Sequence, residues 1–178
     1  MIYLPAVRGL AALLISVQLA ALGCGYKLVR YAGTLGGVDS LAIRTLDNES
    51  YEPGIEYLVS DALRREFLRR GGVRLSDDVR EADLVLTGSV LPVQTSGRSF
   101  SSVVLILEYE VTLSLVVHAT RRDGSELPID GSALRESERY LASADIEATR
   151  KNREEALRRV AGVLAGRVHD ALAEVLAQ

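Results

Sequence analysis

Four sets of residues have the types and spacing to do chemistry. Glu108 and Glu110 stand two apart, so on an extended strand both carboxylates share one face, as an acid–base pair would. Asp77 and Asp78 are adjacent acids able to meet a cation, His118 and His169 are the two imidazoles, and Cys24 is the single thiol. The first three sets lack the context that completes such chemistry. Acids on the wet face of a strand or in a loop are ordinarily just solvated. No Ser/His/Asp setting surrounds either histidine, one cysteine cannot make a Cys/His metal spacing, and no G-x-x-x-x-G-K-[ST] loop is present. The residues thus give no support for an enzyme, a metal site or a cofactor.

Cys24 is different because of what precedes it. Residues 1–23 read MIYLPAVRGLAALLISVQLAALG. A small positive start with Arg8 leads into an apolar stretch over 10–22, broken only by Ser16 and Gln18, and then into the small residues Ala20, Ala21 and Gly23. That order marks a secretory signal peptide, and the apolar stretch is short for a membrane span. A retained anchor or a buried core helix is the alternative. An exported chain with an odd cysteine needs a use for it other than an internal disulfide. Ala21-Leu22-Gly23-Cys24 resembles the bacterial lipoprotein box, with Ala21 where Leu is commonest. In that box the cysteine forms a thioether with a diacylglycerol and becomes the first mature residue. Buried acyl chains contribute about 0.8 kcal/mol per methylene, so several chains on one residue hold a protein firmly. The plainer reading is a small buried or free thiol. By analogy with lipoprotein sorting, Gly25 favours the outer membrane. The expected place is lipid-anchored there, on the periplasmic side.

The remaining length must position whatever the anchor holds. The chain has 178 residues, which suits one domain plus a leader. Its net charge is −3, not the balance of a nucleic-acid-binding protein. With 48% hydrophobic residues, no Trp and two Phe, any core must be mostly aliphatic. We divide the chain into a lipoprotein signal peptide (1–23), a glycine-rich lipidated tether (24–39) and one α+β domain (40–178).

Within that domain, residues 40–46 alternate like a strand, and 47–50 break it. Pro53 suits the first position of a helix whose apolar side is Ile55, Leu58, Val59, Ala62, Leu63 and Phe67, with arginines at its end and Gly71-Gly72 closing it. Residues 73–75 read as a short strand and 82–93 as a longer one, with 94–99 as a turn or flexible tip. From 103 to 117 every odd position is apolar or Tyr109, while Glu108, Glu110, Thr112, Ser114 and His118 take the other face. Such a strand has one buried and one wet face. Arg121-Arg122-Asp123-Gly124 is a hairpin turn, and 125–139 should return antiparallel, irregular near Pro128 and Gly131. Ser143 can cap a last helix with Leu157, Val160, Ala161, Leu164, Val168, Ala171, Leu172 and Val175 as its stripe. The expected fold is a small mixed, mostly antiparallel sheet with two helices packed on one face.

Cys24-Gly25-Tyr26-Lys27-Leu28, Asn48 with Glu52-Pro53-Gly54 at a helix start, and Leu107-Glu108-Tyr109-Glu110-Val111 inside a long strand occur in an order that resembles the LptE lipoproteins of lipopolysaccharide assembly. The resemblance covers most of the chain after the leader. It implies a plug inside the outer-membrane β-barrel LptD, contact with lipopolysaccharide, and no catalysis. It also implies basic residues at the hairpin tip and near the start of the last helix that meet lipopolysaccharide. Arg98 matches the first, and Arg150 or Lys151 the second approximately. Strand directions put Arg150, Lys151 and Arg153 at the same end as Arg98, where Arg offers a forked donor and Lys a point charge to phosphate. Solvated surface charge is the competing reading. The strand opening Ala82-Asp83-Leu84-Val85-Leu86-Thr87-Gly88 is also used by accessory lipoproteins of secretion or transport complexes, which stand as the alternative.

Overall fold

The computed structural model describes residues 35–100, 106–130 and 134–177. The signal peptide, Cys24 and most of the tether lie outside them. The elements are β1 (Ser40–Ile43), β2 (Asp47–Asn48), α1 (Ile55–Arg70), β3 (Arg74–Leu75), β4 (Leu84–Val90), β5 (Gln94–Phe100), β6 (Ile106–Arg121), β7 (Glu126–Leu127), β8 (Arg135–Leu141) and α2 (Ile146–Leu176).

The sheet is mixed and curled. β1 lies parallel between β3 and β4, β2 is parallel to β4, and β6 pairs antiparallel with β4, β5, β7 and β8. β6 is the spine. One edge carries β4 against its second half and β5 against its first half. The other carries β7 and then β8. Register places Leu84, Leu86 and Val90 of β4 on the same face as Leu115, Val117 and Ala119 of β6, and all are buried. The alternation in β6 does this directly: from Val111 to Ala119 its odd side chains are buried together, while Ser114, Val116 and His118 keep contact with water. Gly88 faces Val117, and a methyl group there would run into the carbonyl oxygen of Val116, so only glycine fits this close strand approach.

Both helices cover the apolar face. α1 buries Ile55, Val59, Ala62, Leu63 and Phe67, the spacing of a single helix stripe. α2 buries ten residues, from Ala156 to Leu176, including Leu157, Val160, Leu164, Val168 and Leu172. The helices run parallel: Glu52, just ahead of α1, meets Arg153, and Arg70 at the end of α1 meets Asp170. Leu35 and Val38, bridged to each other, also join the core.

Several elements differ from their sequence expectation. Residues 94–99 do not form a turn but belong to β5, which continues beyond β4 after the break at Pro92; its pairing with β6 supplies the strand that its polar sequence did not signal. The long strand runs over Ile106–Arg121, while 103–105 lie outside the described residues. The return strand is split into β7 and β8 around Pro128, which cannot donate to the ladder. α1 starts at Ile55 after a left-handed Gly54, with Pro53 in the turn before it. α2 is capped by Asp145, which accepts from the Glu147 N–H at 2.9 Å; Ser143 lies two residues earlier and accepts from the Asp145 N–H.

Candidate functional site

The residues singled out for chemistry are dispersed. His118 is exposed and sits 2.6 Å from Glu126. His169 is buried, 1% exposed, with its ring 5.0 Å from that of Phe67 and neither ring nitrogen hydrogen-bonded. Burial pushes its pKa down, helped by the nearby Arg70. Asp78 is held by Arg80, whose guanidinium lowers its pKa. Among the described residues no three His, Cys, Asp or Glu side chains gather as a metal site.

Glu108 and Glu110 do lie together, on the face the helices leave open, and their neighbours are cations. Register sets Ser96 of β5 and Arg139 of β8 on either side of Glu110, and Ser99 and Leu141 on either side of Glu108. Arg98 Nε is 3.3 Å from Glu110 Oε2, and Arg139 Nε is 3.8 Å from the same oxygen. Arg139 Nη1 is 3.9 Å from Glu108 Oε2. The pairing of β5 shifts between Gly97 and Ser99, so Arg98 sits at an irregularity of the edge. Around this group the open face is polar: Thr112 Oγ1 and Ser137 Oγ are 2.8 Å apart, and Arg135 donates to Gln94 Oε1 at 3.0 Å. Arg139 was not anticipated. Its signal was the alternation Arg135, Ser137, Arg139, which becomes readable once β8 is separated from β7.

The cations at the start of α2 stand differently. Register places the Arg98 end of β5, the Leu141 end of β8 and the head of α2 at one end of the sheet. Arg98 pairs on the open face, whereas α2 lies on the covered one, where its Arg159 and Arg167 reach Glu138 and Glu136 of β8. Arg150 is bound within its own helix, 2.7 Å from Glu147 and in contact with Glu154. Arg153 donates from both terminal nitrogens to the two oxygens of Glu52, each at 2.6 Å. Lys151 is exposed. Exposed Phe100, Leu107, Leu141 and Ile146 lie at this same end.

Asn48 and Glu52 have structural parts. The Asn48 amide donates to Glu52 O at 2.9 Å and to Glu56 Oε2 at 2.8 Å, and its oxygen accepts from the N–H and hydroxyl of Ser50. This fixes the entry to α1, whose Gly54 start offers no side-chain cap.

No helix among the described residues is long and apolar enough to cross a membrane. A family model described as LptE, lipopolysaccharide-assembly, matches residues 38–172. No curated protein matches the chain. Solved structures share the fold. The crystal structure of rare lipoprotein B from Shewanella oneidensis is 19% identical, with 74% of this chain and 95% of that chain covered and a TM-score of 0.50. The solution structure of an uncharacterized lipoprotein B from Nitrosomonas europaea is 12% identical, with 82% and 88% covered and a TM-score of 0.53.

Proposed function

The chain belongs to the LptE lipopolysaccharide-assembly family, and on that premise we propose that it is an outer-membrane lipoprotein that binds and plugs the LptD β-barrel and contacts lipopolysaccharide. The observation that carries this reading is the family match, which spans the whole helix-backed sheet from residue 38 into α2. The role is assembly, not catalysis. Cys24, acylated after removal of residues 1–23, tethers the domain to the periplasmic side of the outer membrane.

The geometry supports this reading in two ways. The open face of β5, β6 and β8 is hydrogen-bonding and mixed in charge, as suits the polar interior of a barrel. Arg98, Arg150, Lys151 and Arg153 share one end of the fold with exposed apolar side chains, a mixture that suits a phosphorylated lipid. The four arrive with different freedom. Lys151 is exposed and Arg98 is held at 3.3 Å, whereas Arg150 and Arg153 make close carboxylate pairs. Lipopolysaccharide contact therefore rests first on Arg98 and Lys151.

Retention of the detergent-solubilised full chain on immobilised lipopolysaccharide tests this. The wild type is expected to bind, and Arg98→Glu with Lys151→Glu to bind weakly. A wild type that does not bind would remove lipopolysaccharide contact from the function. Labelling with palmitate tests the anchor: label is expected on the wild type and not on Cys24→Ala.

A further inference from the structure

We propose that the groove at the middle of β6, on the face the helices leave open, receives a chain end: the extended carboxyl terminus of a partner protein with an apolar last residue, its carboxylate held by Arg135. The site is separate from the barrel and lipopolysaccharide contacts proposed above.

The groove follows a gap along one edge of β6. β7 pairs with Ala119 and Thr120, and β8 pairs from Ser114 back to Glu108, so no strand lies against Val116, Val117 and His118 on that edge. The gap is about 10 Å long, room for about three residues of extended chain. Leu115 N–H donates to Leu134 O at 2.9 Å and Arg121 N–H to Ser125 O at 2.8 Å, so the odd residues of β6 present their backbone groups to this edge. Val117 lies between them, and its N–H takes no backbone partner among the described residues. A groove of about 780 Å³ opens there, with Leu91, Val116, Leu127, Pro128, Ile129 and Leu134 as its apolar lining. Val116, on its floor, is 37% exposed.

The charges at the two ends of the groove set the ligand and its direction. Arg135 stands at the β8 end. Its guanidinium donates to the neutral Gln94 Oε1 at 3.0 Å, and no carboxylate pairs with it among the described residues. Arg98 and Arg139 on the same face both meet Glu110, and Arg139 meets Glu108 as well. Arg135 thus keeps its charge uncompensated beside apolar surface, and one guanidinium fork matches one carboxylate. At the β7 end Glu126 lies 2.6 Å from His118, and its own charge disfavours an anion there. β7 and β8 both run antiparallel to β6, from the Thr120 side toward Glu108. A segment that pairs with Val117 in the same sense points its carboxyl end at Arg135 and away from Glu126. Its last side chain enters the apolar lining. Strand addition and capture of a terminal carboxylate are both recurring modes of peptide recognition. A fatty acid brings the carboxylate and the apolar body but nothing for the backbone edge, whereas a chain end supplies all three.

The test uses the full chain in nonionic detergent and a labelled hexapeptide of serine, threonine and valine that ends in leucine with a free carboxylate. The comparison probes are the same peptide as its terminal amide, the same peptide ending in serine, and decanoate. Thermal melting confirms that Arg135→Gln, a change at an exposed position, leaves the domain folded. The free-carboxylate peptide is expected to bind, the amide about tenfold more weakly, and the serine-ended peptide more weakly too. Arg135→Gln should weaken the free-carboxylate peptide about tenfold, the scale of a lost charge-assisted bond, and leave the amide within twofold. Bound peptide should slow hydrogen exchange at the Val117 N–H. A wild type that does not bind the free-carboxylate peptide, equal binding of the amide, or Arg135→Gln within twofold of the wild type overturns the site and leaves the assembly function standing. Equal binding of the serine-ended peptide overturns the apolar last residue. Displacement of the peptide by decanoate, with Val117 exchange unchanged in both complexes, overturns the chain-end assignment in favour of an apolar acid.

Discussion

Arg153 and Glu52 lie 101 positions apart and meet in a forked pair, two hydrogen bonds of 2.6 Å between terminal nitrogens and carboxylate oxygens. Both side chains are about one quarter exposed, so the pair is partly shielded from water. It joins the head of α2 to the residues that lead into α1, beside the buried Tyr140 whose hydroxyl burial raises in pKa. Near the other end Arg70 meets Asp170. The two helices are thereby clipped in parallel register over the sheet.

A double-mutant cycle measures that clip. Arg153→Gln and Glu52→Gln should each lower stability by about 1–2 kcal/mol, since each leaves a partly buried partner unsatisfied. The double variant should lose less than the sum of the two. Urea unfolding of the folded domain reads this directly. Additive losses would mean the pair is formed without contributing.

His169 sets a pH dependence. Its folded-state pKa lies below the ordinary value of 6.5, chiefly through burial and secondly through Arg70. The facing groups are Phe67, Glu66 and Arg70 from α1 and Asp170 beside it, with the Asp170 oxygen 3.6 Å away, too far to bond. The neutral ring fits the core and the charged ring does not. Stability is thus full above the unfolded-state value and lost as pH falls from about 6.5 down through the folded-state value, at up to ~1.4 kcal/mol per pH unit. His169→Leu should flatten that region and leave the fold at least as stable at pH 7, because it removes two orphaned ring nitrogens. Glu66 acts lower. Arg69 and then Arg70 bond its carboxylate and bring its pKa from 4.5 to about 2, so its contribution is present above 4.5 and fades as pH falls through about 2. Glu66→Gln should lower stability by a constant amount above pH 4.5 and flatten the limb between about 4.5 and 2, in pH-resolved urea melts.

Gly88 tests the close approach of β4 and β6. Gly88→Ala drives its methyl group into the Val116 carbonyl, and relief requires the two strands to part. A loss of about 2–3 kcal/mol is expected, the upper range for overpacking. Gly124→Ala, where nothing lies near but φ is +86°, serves as the comparison and should cost about 1 kcal/mol from backbone strain alone.

Those elements were legible in the sequence where one local pattern suffices. The alternation through Val111, Leu113, Leu115 and Val117 fixes which face of β6 is buried, and Gly71 donates its N–H to Phe67 O where the end of α1 was expected. β5 was not legible, because Gln94-Thr95-Ser96-Gly97-Arg98-Ser99 is polar on both sides and is a strand only by virtue of its partner. The division of the cations was hidden for the same reason. Arg153 meets a residue 101 positions away, and Arg139 joins Arg98 only because both flank β6. His169 is buried within the apolar stripe of α2, a position the expected stripe of Val168, Ala171 and Leu172 left out because imidazole is polar.

The direct measurement of the assembly role is capture of the tagged full-length chain from detergent-solubilised outer membranes, with the bound proteins identified by mass spectrometry. The LptD β-barrel is expected in stoichiometric amount, bound also by Cys24→Ala once both are extracted. Capture without LptD, or with components of a secretion or transport complex in its place, would contradict it.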